Sequence, residues 1–510
     1  MSLKKQSFVA GAAILMAANA ISKILGAVFK IPLTYILHED GMAVFNVSFQ
    51  VYIMFLAFVI TGFPLAVSKS VAEAVSENKN ERACNIVRIS TLILCVIGAI
   101  GSVLLYFGAD IFAHAMKEEK SVFAIKMIAP SIFFVAWGTA YKSYFQGTSD
   151  MVPTALSQVV EAVVKLVVGY MLAVYFMCMG TEKTAGGAVL GVTAGEIVAT
   201  AMLWGMYLIN KRGIKNHCTK EDVKDIVKTV MAIAIPILAA NIMSNVLSFA
   251  DTTILRTRLL DSGLSEEKSR YLYGAYTGYA MTVFHLPSGI LATLGVSILP
   301  VISGAIAANR KERASFAAMS GIQLTLYLSI PFTIVMYMLS HEILELIFNN
   351  TASADMLRLS APCLVMVCVS QITTAVLQAS GRIIEPIIYN VSGMIVKTVF
   401  DYILVGRSEF NIYGTIIALN TGYFVIMILN LAAVSRILDL KYSIRAMVIK
   451  PVMASLIMCG MIRLLKAPLM AYNHNLGVVL TCAVSGVAYC FVLLVTGAIN
   501  LAEFTSKKRL

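Results

Sequence analysis

Lys23 and Lys30 lie seven residues apart inside one apolar run, Phe8 to Leu37. A helix through that run presents both ammonium groups on one face. Two cations on one face suit an anionic ligand better than a cation or a neutral compound. The plainer alternative is snorkelling, in which the long stems carry the charges to the membrane surfaces. Lys69 closes the next apolar run, and further charges interrupt later runs: Lys142, Glu161, Lys165, Glu196, Asp251, Arg256, Lys397 and Asp401. An ionisable group near a bilayer centre costs at least about 2.5–3.5 kcal/mol, so it normally faces a cavity or a partner. Glu161 with Lys165, and Lys397 with Asp401, are each four residues apart and can pair along their own helices. Such a pair either neutralises two buried charges or opens and closes during transport. Asp251, with Asn241 and Asn245 one to three turns away, is a candidate for holding a coupling cation.

The elements that must position these residues are membrane-spanning helices. Of 510 residues, 59% are hydrophobic and only 13% charged, against about 25% charged in a soluble domain. Apolar runs of about 20 residues, enough to cross a hydrocarbon core as helices, recur from end to end. The first is too long for the core of a signal peptide and lacks a small-residue cleavage site, so it reads as a span. Fourteen spans are expected, near 7–37, 43–67, 84–108, 121–146, 152–178, 186–209, 229–257, 271–304, 316–339, 357–379, 384–405, 411–435, 446–465 and 475–498. No connection exceeds about twenty residues, which leaves no room for an extramembrane domain of ordinary size.

Basic residues concentrate in alternate loops, such as Lys79, Arg82 and Arg88, then Lys211 to Lys228, then Arg310, Lys311 and Arg313. The positive-inside rule therefore places both termini of a multi-pass membrane protein in the cytoplasm. The net charge of +12 follows mostly from these loops and favours anionic membrane lipids. It is too dispersed for nucleic acid. The nine cysteines form no CxxC pair and the six histidines no HExxH motif. No metal, no cofactor and no catalytic constellation is expected.

An internal repeat organises the spans. Ala17–Leu25 (AANAISKIL) matches Ala239–Leu247 (AANIMSNVL) at an offset of 222 (239 − 17), and Ala74–Ala83 (AVSENKNERA) matches Ala305–Ala314 (AIAANRKERA) at 231 (305 − 74). Ala129-Pro130, Gln146 and Lys165 match Ala361-Pro362, Gln378 and Lys397 at 232 (397 − 165), and Gly187 and Gly195 match Gly414 and Gly422 at 227 (422 − 195). The fold class is therefore all-α: two six-helix lobes in a parallel repeat plus two C-terminal helices. The expected boundaries are 1–210 for the first lobe, 211–228 for a cytoplasmic linker, 229–436 for the second lobe and 446–498 for the extra helices. Two such bundles facing one another leave a cavity that rocking opens to alternate sides.

Three blocks carry a family resemblance. The first is Ser22-Lys23-Ile24-Leu25-Gly26, Ile31-Pro32-Leu33-Thr34 and Gly62-Phe63-Pro64-Leu65-Ala66-Val67-Ser68-Lys69. The second runs from Tyr144-Phe145-Gln146-Gly147 through Pro153-Thr154-Ala155, Gln158, Glu161, Lys165 and Gly169, and the third from Leu286-Pro287 to Leu299-Pro300. Together they resemble the stage V sporulation protein B group of the multidrug/oligosaccharidyl-lipid/polysaccharide exporter superfamily, which also holds MurJ-type lipid II flippases. The resemblance implies fourteen helices and transfer of an undecaprenyl-pyrophosphate-linked saccharide, lipid II or a related precursor, from the inner to the outer leaflet. Lys23, Lys30 and Lys69 would then attract the pyrophosphate, although MurJ-type proteins usually carry arginines where Lys23 and Lys30 stand. Lys397, one turn before Asp401, would fill a cation's place at the sodium site of some relatives. Expected partners are the lipid-linked saccharide, membrane lipids and cell-wall synthesis machinery. The competing readings are a multidrug or cation antiporter of the same fold, which wants acids rather than lysines in the first lobe, and a non-transporting membrane scaffold for cell-wall assembly.

Overall fold

The computed structural model describes residues 8–60, 62–77, 79–210, 220–440, 447 and 449–497. Linker residues 211–219 therefore lie outside the described residues. Among those described, the chain is helical throughout, in seventeen α-helices. They are α1 (Phe8–Ile60), α2 (Phe63–Ser76), α3 (Asn80–Phe107), α4 (Ala109–Ala115), α5 (Val122–Gly147), α6 (Val152–Phe176) and α7 (Thr181–Asn210). Then follow α8 (Lys220–Asp261), α9 (Glu266–Ala275), α10 (Met281–Ala307), α11 (Lys311–Met338), α12 (Ser340–Phe348) and α13 (Ala354–Ala379). The last are α14 (Ile384–Leu404), α15 (Ile412–Leu438), α16 (Lys450–Tyr472) and α17 (His474–Val495). Eleven helices among the described residues are long and apolar enough to cross a membrane.

The predicted spans 7–37 and 43–67 differ most from what is found. α1 runs through both, and its break falls at His38, whose φ of 51° and ψ of −165° are non-helical. The second span is interrupted instead at Gly62, with φ 73°. A β-carbon at Gly62 would lie 2.6 Å from the Ala234 carbonyl oxygen of α8, so both the turn and the close approach require glycine. α8 begins nine residues before the predicted span 229–257, taking up 220–228 of the predicted linker as helix. The predicted span 271–304 is composite: α9 passes through a π-helical turn, Tyr276–Ala280, into α10. Such an extra residue per turn shifts the helix face without breaking the backbone ladder.

The chain forms two compact units: residues 1–278 with 398–414, and residues 279–397 with 415–510. In the first, α5 and α7 supply the interior, and their packing depends on small residues. Thr193 Oγ1 donates to the Met127 carbonyl at 3.1 Å and Thr200 Oγ1 to that of Phe134 at 2.9 Å. Each of these carbonyls has a second lone pair beyond its ladder hydrogen bond, so it can accept the hydroxyl as well. α3 turns Leu92, Val96, Ile100, Val103 and Phe107 outward, all more than half exposed. Their helical spacing makes a continuous apolar stripe that only lipid can cover.

The second unit packs α10, α11, α13 and α15 around Ile302, Ala318, Ile322, Ile372, Val376 and Val434. Asn430 of α15 crosses to α13, donating to the Ser370 carbonyl at 3.2 Å and to Thr374 Oγ1 at 3.1 Å. The hairpin of α16 and α17 docks on α12 through Lys466 with Glu342, and through His474 Nε2 with Glu345 at 3.2 Å.

Candidate functional site: a charged cluster inside the first repeat

Glycine places the charges. A β-carbon at Gly191 of α7 would stand 2.3 Å from the Gly169 α-carbon, so α6 and α7 touch backbone to backbone. One turn on, a β-carbon at Gly195 would meet the Glu161 carbonyl oxygen at 2.8 Å and the Lys165 β-carbon at 3.5 Å. Glu196, the next residue, is 7% exposed, and its carboxyl is brought against that of Glu161. Lys142 reaches across from α5 to Glu161 Oε2 at 3.7 Å.

The expected pairing of Glu161 with Lys165 along α6 is thus corrected: Glu161 pairs with Lys142 of the neighbouring helix. Lys165 turns away, its Nζ lying 5.2 Å from the ring centroid of Phe49 and 5.8 Å from that of Phe29. An ammonium over an aromatic face gains about 0.5–2 kcal/mol, and the carboxylates of Glu161 and Glu196 act on Lys165 at longer range. Lys30 is half-buried on α1, close enough to Lys165 for the two charges to oppose each other. It makes no hydrogen bond or ion pair among the described residues. By formal charge Lys142 and Lys165 match Glu161 and Glu196, and Lys30 adds a third cation.

The other predicted residues lie elsewhere. Lys23 is exposed on α1, and Lys69 is exposed on α2, 3.9 Å from Glu73. Asp251 of α8 accepts a hydrogen bond from Thr398 Oγ1 at 2.9 Å, while the side chains of Asn241 and Asn245 lie outside the described residues. Asp401 is fully buried. Lys397 packs its stem on Gly422, where a β-carbon would lie 2.9 Å from its own and 2.8 Å from the Gly393 carbonyl oxygen. That is the Gly195, Glu161 and Lys165 contact over again, because Gly393 and Lys397 are the repeat partners of Glu161 and Lys165 at 232 (393 − 161).

A second charged cluster escaped sequence reasoning. Glu118, between α4 and α5, is fully buried and takes two arginines. Arg256 of α8 donates from Nη2 to Glu118 Oε2 at 2.6 Å and to the Lys117 carbonyl at 2.7 Å. Arg270 of α9 donates from Nε to Oε1 at 2.8 Å and to Oε2 at 2.9 Å. Burial disfavours the Arg270 charge, but Glu118 outweighs it and holds the guanidinium protonated above its usual range. Arg256 was singled out from its place in a span. Glu118 sits in the run Met116-Lys117-Glu118-Glu119-Lys120, which reads like any solvated loop. Only burial distinguishes it.

Comparison with known proteins agrees with this architecture. A family profile described as polysaccharide biosynthesis protein matches residues 8–305, and one described as MatE matches 275–403. Stage V sporulation protein B of Bacillus subtilis (strain 168) is 26% identical over 466 residues, covering 90% of this chain and 89% of that protein. The lipid II flippase MurJ of the same organism is 22% identical over 461 residues, covering 85% of this chain and 84% of that one. Among solved structures, the inward-facing conformation of a multidrug resistance MATE family transporter of the MOP superfamily superposes with a TM-score of 0.69 at 15% identity, covering 84% of this chain and 98% of that one. A MOP superfamily transporter from Pyrococcus furiosus, described as having reverse polarity of its binding pocket, gives 0.62 at 16% identity, covering 85% and 97%. The all-helical, MATE-like membrane fold and the match over more than half of its length mean that this chain belongs to the polysaccharide biosynthesis protein family.

Proposed function

We propose that the protein is a flippase that moves an undecaprenyl-pyrophosphate-linked saccharide, lipid II or a related cell-wall precursor, from the inner to the outer leaflet by alternating access. The observation that carries this reading is Lys30, a half-buried cation within the field of Lys165 and without an ion-pair partner among the described residues. Its charge inside a lipid-embedded helix is costly and calls for an anion. A diphosphate supplies two or three negative charges, which point-charge ammonium groups bind without the fixed fork geometry that arginine needs. Lys23, about 10 Å along the same helix by its rise per residue, offers a second contact on the route. Lys69 offers a third, midway along α2. The similarity to a lipid II flippase supports the cargo class. With basic loops inside, both termini face the cytoplasm, and the ends of α3 and α8 at Phe107 and Asp261 face outward.

The test is exposure of lipid II at the outer leaflet in cells where this protein is the sole source of flipping. The double substitution Lys30→Ala/Lys165→Ala is expected to abolish it, and Lys23→Ala to weaken it. Unchanged flipping in the double variant would overturn the assignment. The match of 275–403 to the MatE profile favours one second reading, a multidrug antiporter. Ion-driven efflux of a cationic dye, undiminished by Lys30→Ala, would select it.

A further inference from the structure

The Glu118 cluster joins parts of the chain that belong to different repeats. Glu118 and the His38–Asp40 corner come from the first, and the ends of α8 and α9 from the second. Around the carboxylate the fit is close. A β-carbon at Gly274 of α9 would fall 1.9 Å from the Glu39 carbonyl oxygen, so α9 lies flush on the corner after His38. One turn further, Asn46 Nδ2 donates to Thr277 Oγ1 at 3.1 Å. Lys117 holds a left-handed φ of 53° and thereby points its carbonyl at Arg256, a conformation that costs an L-residue about 1–2 kcal/mol. The Arg256 guanidinium also lies 5.1 Å from the Tyr273 ring centroid, yet its Nη1 is buried without a hydrogen-bond partner among the described residues.

A purely structural contact has no need of this chemistry, because well-packed apolar side chains usually hold as well as a buried ion pair or better. Charged groups differ in what happens on separation. Water solvates parted ions, whereas parted apolar surfaces stay costly. Ions at a dry contact therefore make it tight when closed and tolerable when open.

We propose that Glu118, Arg256 and Arg270 form a latch that holds the two repeats together at the face where α8 ends, and that this latch must part when that face opens. The inference rests on the transporter reading but not on the identity of its cargo. Its experiment uses no cargo. Thr277→Cys is placed in a chain whose nine native cysteines are replaced, and its labelling by a charged maleimide is timed in detergent micelles. Beside an intact latch, Cys at 277 is covered by α1 and reacts slowly. Glu118→Gln is expected to accelerate labelling ten-fold or more, and Arg270→Gln by a smaller factor. Cys363, fully buried in α13 and kept as the single cysteine of a parallel chain, serves as the control and should stay slow in every variant. If Glu118→Gln is not monodisperse, Arg270→Gln carries the test, since that side chain is 14% exposed and its loss leaves Arg256 on the carboxylate. Labelling at 277 that stays slow in every folded variant overturns the latch. Acceleration at Cys363 as well as at 277 also overturns it, because that is general loosening.

Discussion

The two repeats share a backbone contact and differ in what they mount on it. In each, a glycine of the last helix of the lobe packs on the helix before it, Gly195 on Glu161 and Lys165, and Gly422 on Gly393 and Lys397. The lysine is kept, but the companions are not. Repeat offsets place Thr374 where the first repeat has Lys142, Gly393 in place of Glu161, and Tyr423 in place of Glu196. One scaffold thus carries four interacting charges in the first repeat and a single lysine at the equivalent positions of the second. The glycine contact is a packing requirement common to both copies. The charges sit on top of it and differ between the two sequence repeats.

That comparison can be broken most severely at the glycines. Gly191→Val pushes a side chain into the Gly169 backbone, and overpacking of this kind costs about 1–3 kcal/mol or more. Thermal unfolding in detergent should show a large fall, or folded protein should be lost. Gly205, whose β-carbon would meet nothing within 4 Å among the described residues, is the matched control, and Gly205→Ala should leave the melting curve in place. The next effect in size is Lys142→Ala, which strips the cation from Glu161 and leaves two adjacent carboxylates with less compensation. A loss of about 2–3 kcal/mol is expected, towards the lower end for a broken buried pair because both partners retain some exposure. Glu161→Gln in the same background should recover part of it, and no recovery would mean that the pair is not coupled.

At the equivalent place in the second repeat, Thr374→Ala removes one acceptor from Asn430 and should cost about 1 kcal/mol. An effect as large as that of Lys142→Ala would erase the distinction between the repeats. Smallest of all is the contact of Lys165 with its rings. A double-mutant cycle of Lys165→Met and Phe49→Leu should give a coupling of about 0.5–1 kcal/mol, read from the same melting curves.

Much of the fold was legible because lipid imposes a simple rule. Runs such as 84–108 and 152–178 are long, apolar and bounded by charge, and they became α3 and α6 nearly end for end. The breaks were less legible. Nothing in Leu37-His38-Glu39 signals a left-handed residue, and the interruption at Gly62 depends on the Ala234 carbonyl, which arrives from a helix far along the chain. At the site, the sequence drew attention to Glu161 and Lys165 but assigned them to each other. Spacing of four residues shows that two side chains can meet along a helix; it does not show what stands opposite. Lys142 and the rings of Phe29 and Phe49 offered better partners across helices.

The sequence by itself determined that the chain lives in a membrane, that it is all-helical and repeated, and which charges had to be accounted for. Each follows from quantities that add along the chain: apolar length, helical period and the cost of a charge in hydrocarbon. Tertiary structure alone decided how those charges are satisfied. It set Lys142 on Glu161, Lys165 on aromatic faces and Lys30 without an ion-pair partner among the described residues, and it made a loop glutamate the centre of two arginines. The reason is physical. An ionic contact depends on distance and dryness at a point where separate helices meet, and backbone approach at residues such as Gly191 and Gly274 fixes both.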